Sequence, residues 1–199
     1  MLDSQRYARL RPYLFHNTDA SNLAGIRKFH HLYSPSAVGV GFRSRRPTNE
    51  RHYWEGQSFV LRDQRPLQFG HVEFEDGWTR DDLLAALADR VFFWPGDSNG
   101  PITPARRLAR RYPQSVLLRI DLVDLLCANQ GNDPQFCRYN SGGPRTTGGR
   151  KSPRGPSTFQ SAHEWKSRSC DVVEVCFRNS VILPPTAEVS VDGNWSILW

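Results

Sequence analysis

A glutamate set inside an apolar run is the chain's clearest candidate for chemistry. In VVEVCF, Glu174 stands between valines, and an ionised carboxylate among apolar neighbours is costly unless it is paired or lines a cleft. Strand alternation puts Val173 and Val175 on one face and Glu174 with Cys176 on the other. Two roles fit it: a carboxylate held in a cleft, or an edge-strand glutamate facing water. His16 ends the run YLFHN, either to meet a ligand or as a satisfied core histidine. Arg62, in VLRDQRPL, can offer a guanidinium fork to phosphate oxygens or pair with adjacent Asp63. Phe93 and Trp94, in VFFW, supply flat rings for stacking or plain core.

Metal chemistry has little to draw on. Cys127, Cys137, Cys170 and Cys176 lie singly, without the paired spacing of a zinc site, and no cluster of acids or histidines has ligand spacing. The cysteines are expected to be reduced thiols, Cys127 on an apolar helix face and Cys176 in a strand, and no metal is expected. Charge is more informative. The net charge is +6, and all of the 26 basic residues except Lys28, Lys151 and Lys166 are arginine. Such a surface attracts polyanions, although a GC-rich genome produces the same bias. The basic residues gather in two stretches. Residues 34–55 carry Arg43, Arg45, Arg46 and Arg51 and read as a mobile basic loop. Residues 140–155 carry Arg145, Arg150, Lys151 and Arg154 with no acid, which suits either a clamp on a polyanion or a disordered linker. Arg43, Arg45, Arg46, Arg145, Arg150, Lys151 and Arg154 are thus the candidate nucleic-acid contacts.

These residues need elements to position them. The 199 residues suit one domain, and 38% hydrophobic with 12% aromatic content supports a core. No apolar run is long enough for a transmembrane helix and no secretory pattern opens the chain, so the expected location is the cytoplasm. Strands are expected at 13–17, 58–62 and 91–94, over SVLLRIDL, and late in the chain over DVVEVCF, AEVSV and WSILW. Helices are expected over DASNLAGIRKF, capped by Asp19 or Ser21, and over GWTRDDLLAALADR, with Thr79 as cap and Asp82 in the capping-box position. A basic helix is expected over PARRLARRY and another over 123–129. Early helices, late strands and no repeated βαβ unit predict an α+β domain with largely antiparallel sheets and flanking helices.

The order of these segments resembles the DarT-like ADP-ribosyltransferases of bacterial toxin–antitoxin and phage-defence systems. In that family a Tyr-His-x-Thr strand precedes Asn-Leu-x-x-Ile on a helix, and LFHNTDASNLAGIRKF keeps His16, Thr18, Asn22, Leu23 and Ile26 in that pattern. VVEVCFRNSVILP is similar to the family's strand with a catalytic glutamate and a Val-Pro-like turn, and VFFW to its aromatic strand. The chain departs from the family at His30 and His31, where a glycine is usual. RDQ, RVFFW, an NSG loop and PRGPSTF suggest a separate branch of the fold.

The resemblance implies a split, ADP-ribosyltransferase-like sheet over residues 1–199, with NAD as co-substrate and a DNA or RNA acceptor. Glu174 and Arg62 would be the catalytic pair, with Arg65 as the second choice for the arginine. His16, Thr18, Asn22, Arg62, Phe93 and Trp94 would line the NAD site. It also implies an antitoxin or immunity protein as partner. Two alternatives stand beside it. A non-catalytic nucleic-acid-binding module gives no reason for Glu174. An RNA 2′-phosphotransferase shares the fold and uses NAD, but its arginine and histidine set is not evident.

Overall fold

A computed structural model describes residues 1–41, 44–103, 112, 114–191 and 193–199. Helix α1 (Ser4–Leu10) starts where the Asp3 carboxylate accepts from the Arg6 amide, and it leads into strand β1 (Tyr13–Asp19). Asp19 caps a single 3₁₀ turn, after which α2 (Leu23–Phe29) runs to His30. At φ 54° His30 takes the left-handed cap that usually favours glycine. Strands β2 (His31–Tyr33), β3 (Glu50–Trp54), β4 (Gln57–Leu61) and β5 (Val72–Phe74) follow. Then come α3 (Arg80–Ala88), opened by the Thr79–Asp82 capping box, and strands β6 (Arg90–Asp97), β7 (Gly100–Pro101) and β8 (Ser115–Asp121). The chain continues through α4 (Leu122–Ala128), β9 (Gln135–Cys137) and β10 (Ser152–Arg154). It ends in β11 (Glu174–Arg178), β12 (Ser180–Ile182), β13 (Glu188–Val191) and β14 (Asn194–Ile197).

The result is a mixed α/β fold with mostly antiparallel sheets. The main sheet has the order β14-β13-β8-β1-β6-β11-β9, with β7 on β6, and every pairing in it is antiparallel. Among the described strands, β5 and β10 form the one parallel pair. Alternation sends Leu14, Phe93, Leu118, Ile120, Val175 and Phe177 into the main core. On the other face Cys137 and Cys176 meet Leu83, Leu84 and Leu87 of α3 in a second core. Phe15 and Trp94 form a third, smaller cluster. Among the described residues, no helix is long and apolar enough to cross a membrane.

One irregularity in the sheet positions the site. Residues 13–15 of β1 pair with 94–96 of β6, and there the pairing stops. Beyond it β1 stays with β8 as far as Asp19, while residues 90–93 of β6 pair with β11. The sheet therefore forks between β1 and β6. At the closed end sits Gly96, where a Cβ would collide with the Gly100 carbonyl and the Phe15 ring, so only glycine lets β1, β6 and β7 approach so closely. At the open end the Phe92 carbonyl accepts a hydrogen bond from His16 Nδ1 at 2.9 Å, in place of a ladder partner.

Several expectations need correction. Residues 34–55 are not one mobile loop: they contain a 3₁₀ turn at 36–38 and β3, which forms a hairpin with β4. Its two-residue turn holds Glu55 and Gly56 at φ 48° and 71°. Residues 140–155 are not a disordered linker, since β10 lies within them and a 3₁₀ turn at 156–158 follows directly. Cys127 is exposed, because α4 buries Leu122 and Leu125 on the opposite side. The basic helix expected over PARRLARRY falls almost wholly outside the described residues, as does Arg43.

Candidate functional site

A cavity of about 900 Å³ opens at the fork. His16 and Asn17 of β1 line one side, Phe92 and Glu174 line the other, and Arg62 and Ser141 close the wall between them. Glu174 begins β11 with its side chain on the face opposite Val175, and it is only 4% exposed. Its Oε2 accepts from the Ser141 amide at 2.9 Å and from Ser141 Oγ at 2.6 Å. Burial pushes this carboxyl up to about 7, against the pull of the two Ser141 hydrogen bonds and the Arg154 and Arg62 charges.

Ser141 stays in place because Arg154 grips its loop. The Arg154 guanidinium donates to the carbonyls of Ser141 (3.3 Å), Asn140 (2.7 Å) and Pro153 (2.7 Å) and to Ser152 Oγ (2.7 Å). It is fully buried, with Tyr139 against it at 5.4 Å. Buried in this way, Arg154 cannot serve as the nucleic-acid contact expected of it. It is instead the brace beneath the catalytic-glutamate candidate.

His16 is held neutral. Burial pushes its imidazole down to about 4, the Phe92 hydrogen bond opposes the shift, and the Arg62 charge adds to it. Because Nδ1 must donate to the Phe92 carbonyl, Nε2 is an acceptor. Among the described residues nothing hydrogen-bonds Nε2. Arg62 does not pair with Asp63. Its Nη1 donates to Asn17 Oδ1 at 2.7 Å and its guanidinium lies over the Tyr112 ring at 5.1 Å. Asp63 instead takes Arg65 at 3.1 Å and the Tyr112 hydroxyl at 2.9 Å. Of the two candidate arginines, Arg62 is therefore the one whose charge reaches Glu174, while exposed Arg65 is spent on Asp63 at the rim.

The profile of a family of unknown function, DUF7002, matches residues 12–194. The chain belongs to the DUF7002 family. No curated protein and no solved structure matches it. The part shared with DUF7002 runs from just before β1 into β14 and so contains the fork and every cavity residue named above.

Within this DUF7002 fold the remaining sequence candidates divide. Asn22 and Thr18 line the cavity, but their polar groups are in use. Asn22 accepts from the Val60 amide at 2.7 Å and donates to the Val60 carbonyl and to Thr18 Oγ1, both at 3.0 Å, so the pair braces β4 against α2. Phe93 is a correction: its ring is fully buried in the main core, and of the three aromatics in VFFW it is Phe92 and Trp94 that line the cavity. The described basic candidates are divided among different places. Arg46 and Arg145 line the cavity, and Arg45 turns to the Leu67 carbonyl at 3.0 Å. Arg150 and Lys151 line a separate depression together with Glu73 and Glu75. Sequence reasoning missed Phe92, Asn17 and Ser141. Strand parity with Trp94 points to Phe92, and the NSG loop contains Ser141, but nothing in the sequence ties that loop to Glu174.

Proposed function

We propose that this DUF7002 chain is an NAD-dependent mono-ADP-ribosyltransferase that modifies a nucleic acid. One observation carries the reading: a buried carboxylate with one oxygen fixed by Ser141 shares a cavity with a neutral imidazole and a guanidinium that has no carboxylate partner among the described residues. The cavity volume of about 900 Å³ falls in the range that takes a dinucleotide. The division of the sheet between β1 and β6 is also what the split sheet of that enzyme class would call for.

In this mechanism Glu174 stabilises the positive charge that develops on the ribose as its bond to nicotinamide breaks and the bonding electrons leave with the ring. Before cleavage the nicotinamide ring is itself cationic, and that charge favours the ionised form of a carboxyl poised near 7. The acceptor nucleophile then bonds to the anomeric carbon and gives up its proton, which a carboxylate of this basicity is suited to take. His16 Nε2 accepts a hydrogen bond from a ribose hydroxyl or the carboxamide, and Arg62 holds the pyrophosphate. The net charge of +6 and Arg145 at the cavity favour a polyanionic acceptor. A toxin of this kind would be matched by an antitoxin or immunity protein that blocks the cavity or removes the modification.

The test is incubation with labelled NAD and separate pools of single-stranded DNA, RNA and total cell protein, beside Glu174→Ala. Label entering DNA or RNA only with the intact protein is the expected result. Label confined to protein would move the acceptor to another class. Folded protein that neither transfers label nor releases nicotinamide would leave the non-catalytic binding module as the better reading.

A further inference from the structure

Two guanidinium groups line the cavity, and among the described residues neither has an ion-pair partner. Arg46 comes from the stretch before β3 and Arg62 from the end of β4, and three hydrogen bonds lace their segments together. The Arg46 amide donates to Gln64 Oε1 at 3.0 Å, the Gln64 amide to the Arg46 carbonyl at 2.8 Å, and Arg46 Nε to the Arg62 carbonyl at 3.3 Å. Among the described residues neither arginine has a carboxylate oxygen within 4.0 Å. The nearby acids are engaged elsewhere: Asp63 by Arg65 and Tyr112, Glu50 by His52 at 3.3 Å, and Glu174 by Ser141.

Both arginines are half-buried, and burial pulls both guanidinium pKa values down; the Glu50 and Asp63 charges oppose this at Arg46, and Tyr112, Asp63 and Glu174 oppose it at Arg62, where the Arg46 charge adds a smaller downward push. Two desolvated like charges held together are unfavourable unless an anion joins them. Placing Asp63 next to Arg62 in sequence and then binding it to Arg65 and Tyr112 keeps the obvious partner away. Arg62 has spent Nη1 on Asn17 and Arg46 has spent Nε on a backbone carbonyl, so donors remain on both for a ligand with several charged oxygens.

We propose that Arg46 and Arg62 form a two-armed seat for the diphosphate of a dinucleotide, which makes Arg46 a contact of the co-substrate and not of an acceptor surface. The identity of the dinucleotide rests on the transferase reading; the anion seat does not.

Isothermal titration of the full chain with ADP-ribose, inorganic pyrophosphate and a single-stranded oligonucleotide tests this. Arg46→Ala should weaken ADP-ribose and pyrophosphate about 10- to 100-fold, as loss of a charge-assisted hydrogen bond implies. Arg46→Gln keeps a donor for the Arg62 carbonyl, and should show the same loss if the alanine variant unfolds. Arg51→Ala, which removes an exposed guanidinium from the nearby hairpin, should change neither affinity. ADP-ribose affinity that ignores Arg46 overturns the seat and leaves the transferase reading standing. Pyrophosphate binding that needs Arg46, with no binding of ADP-ribose, keeps the seat and sinks the dinucleotide. Loss of oligonucleotide binding alone in Arg46→Ala returns Arg46 to an acceptor surface and overturns the proposal.

Discussion

Ser141→Ala should move the pH–rate profile of the protein without abolishing its activity. Ser141 Oγ lies 2.6 Å from Glu174 Oε2 and donates to it, which favours the ionised carboxylate. A hydrogen bond to a charged group contributes about 1.5–3 kcal/mol, and 1.36 kcal/mol corresponds to one pKa unit, so its loss raises the carboxyl by about 1–2 units. The Ser141 amide bond at 2.9 Å remains, and so do the Arg154 and Arg62 charges. Cys137, opposite Glu174 on β9, stays neutral because burial pushes its thiol well up. Glu174 would then move from about 7 to about 8–9, and the ionised fraction at pH 7 from about one half to about 1–10%. Nicotinamide release from NAD, followed from about pH 5.5 to about pH 10, should fall about 5- to 50-fold at neutrality and recover on the alkaline side. A rate that stays low at every pH, with folding intact by circular dichroism, would mean that Ser141 meets the substrate directly. An unmoved profile would refute the link between Ser141 and the acidity of Glu174.

Other substitutions probe the rest of the frame. Glu174→Gln should cut nicotinamide release at least about 100-fold and yet raise the melting temperature at pH 8 by up to about 6–12 °C, because it removes about 3 kcal/mol of ionisation cost from the folded state; equal melting temperatures at pH 8 would contradict a burial-raised carboxyl. Gly96→Ala should lower urea stability by at least about 2 kcal/mol, since its Cβ meets backbone that cannot yield, and an unchanged midpoint would deny the close approach at the closed end of the fork. Arg154→Gln should lower stability by about 3 kcal/mol or more while leaving oligonucleotide affinity within about twofold. A stable Arg154→Gln protein with weakened, less salt-dependent oligonucleotide binding would put Arg154 back on an acceptor surface.

The readable parts of this fold are those in which local pattern and tertiary partner agree. The alternation of β8 and the capping box of α3 are visible in the sequence alone, and β8 matches it in burial, whereas β11 is buried on both faces from Glu174 to Phe177. The pairs β2–β12 and β5–β10 are three residues long and exist because distant segments meet, so no local period announces them. Strand β3, ERHYW, sits in an arginine-rich stretch, and its half-buried positions carry Glu50, His52 and Trp54, which blurs the apolar alternation. In the site, Glu174, His16 and Arg62 could be picked out because each is a polar residue within or beside an apolar strand. Phe93 and Trp94 point to opposite faces of β6, and because VFFW is apolar throughout, no polar residue in it marks which parity faces the cavity. Arg154 looked like a surface charge for a similar reason: a loop's composition does not reveal that four backbone and side-chain oxygens converge on one of its arginines.

The fork ties its two best candidate groups to stability in opposite senses. Glu174 has a folded value near 7 against 4.5 for an ordinary glutamate, so the folded state loses stability as pH rises through that interval. His16 has a folded value near 4 against 6.5, so the folded state loses stability as pH falls through that one. Between about 4.5 and 6.5 the intervals overlap, and the two slopes cancel. An unfolded chain there carries an imidazolium and a carboxylate, whereas the folded chain carries a neutral imidazole and a carboxylic acid, with the same number of protons. Folding in effect moves a proton from one wall of the cavity to the other. The cause is geometric: β1 and β6 part, both side chains are buried at the opening, and of the nearby charges Arg62 disfavours an imidazolium, while Arg154 and Arg62 do not fully offset the burial of Glu174. A site built this way holds its carboxyl close to ionisation and its histidine as an acceptor at neutral pH, and binding a cation beside Glu174 with an anion beside the arginines would relieve both costs at once.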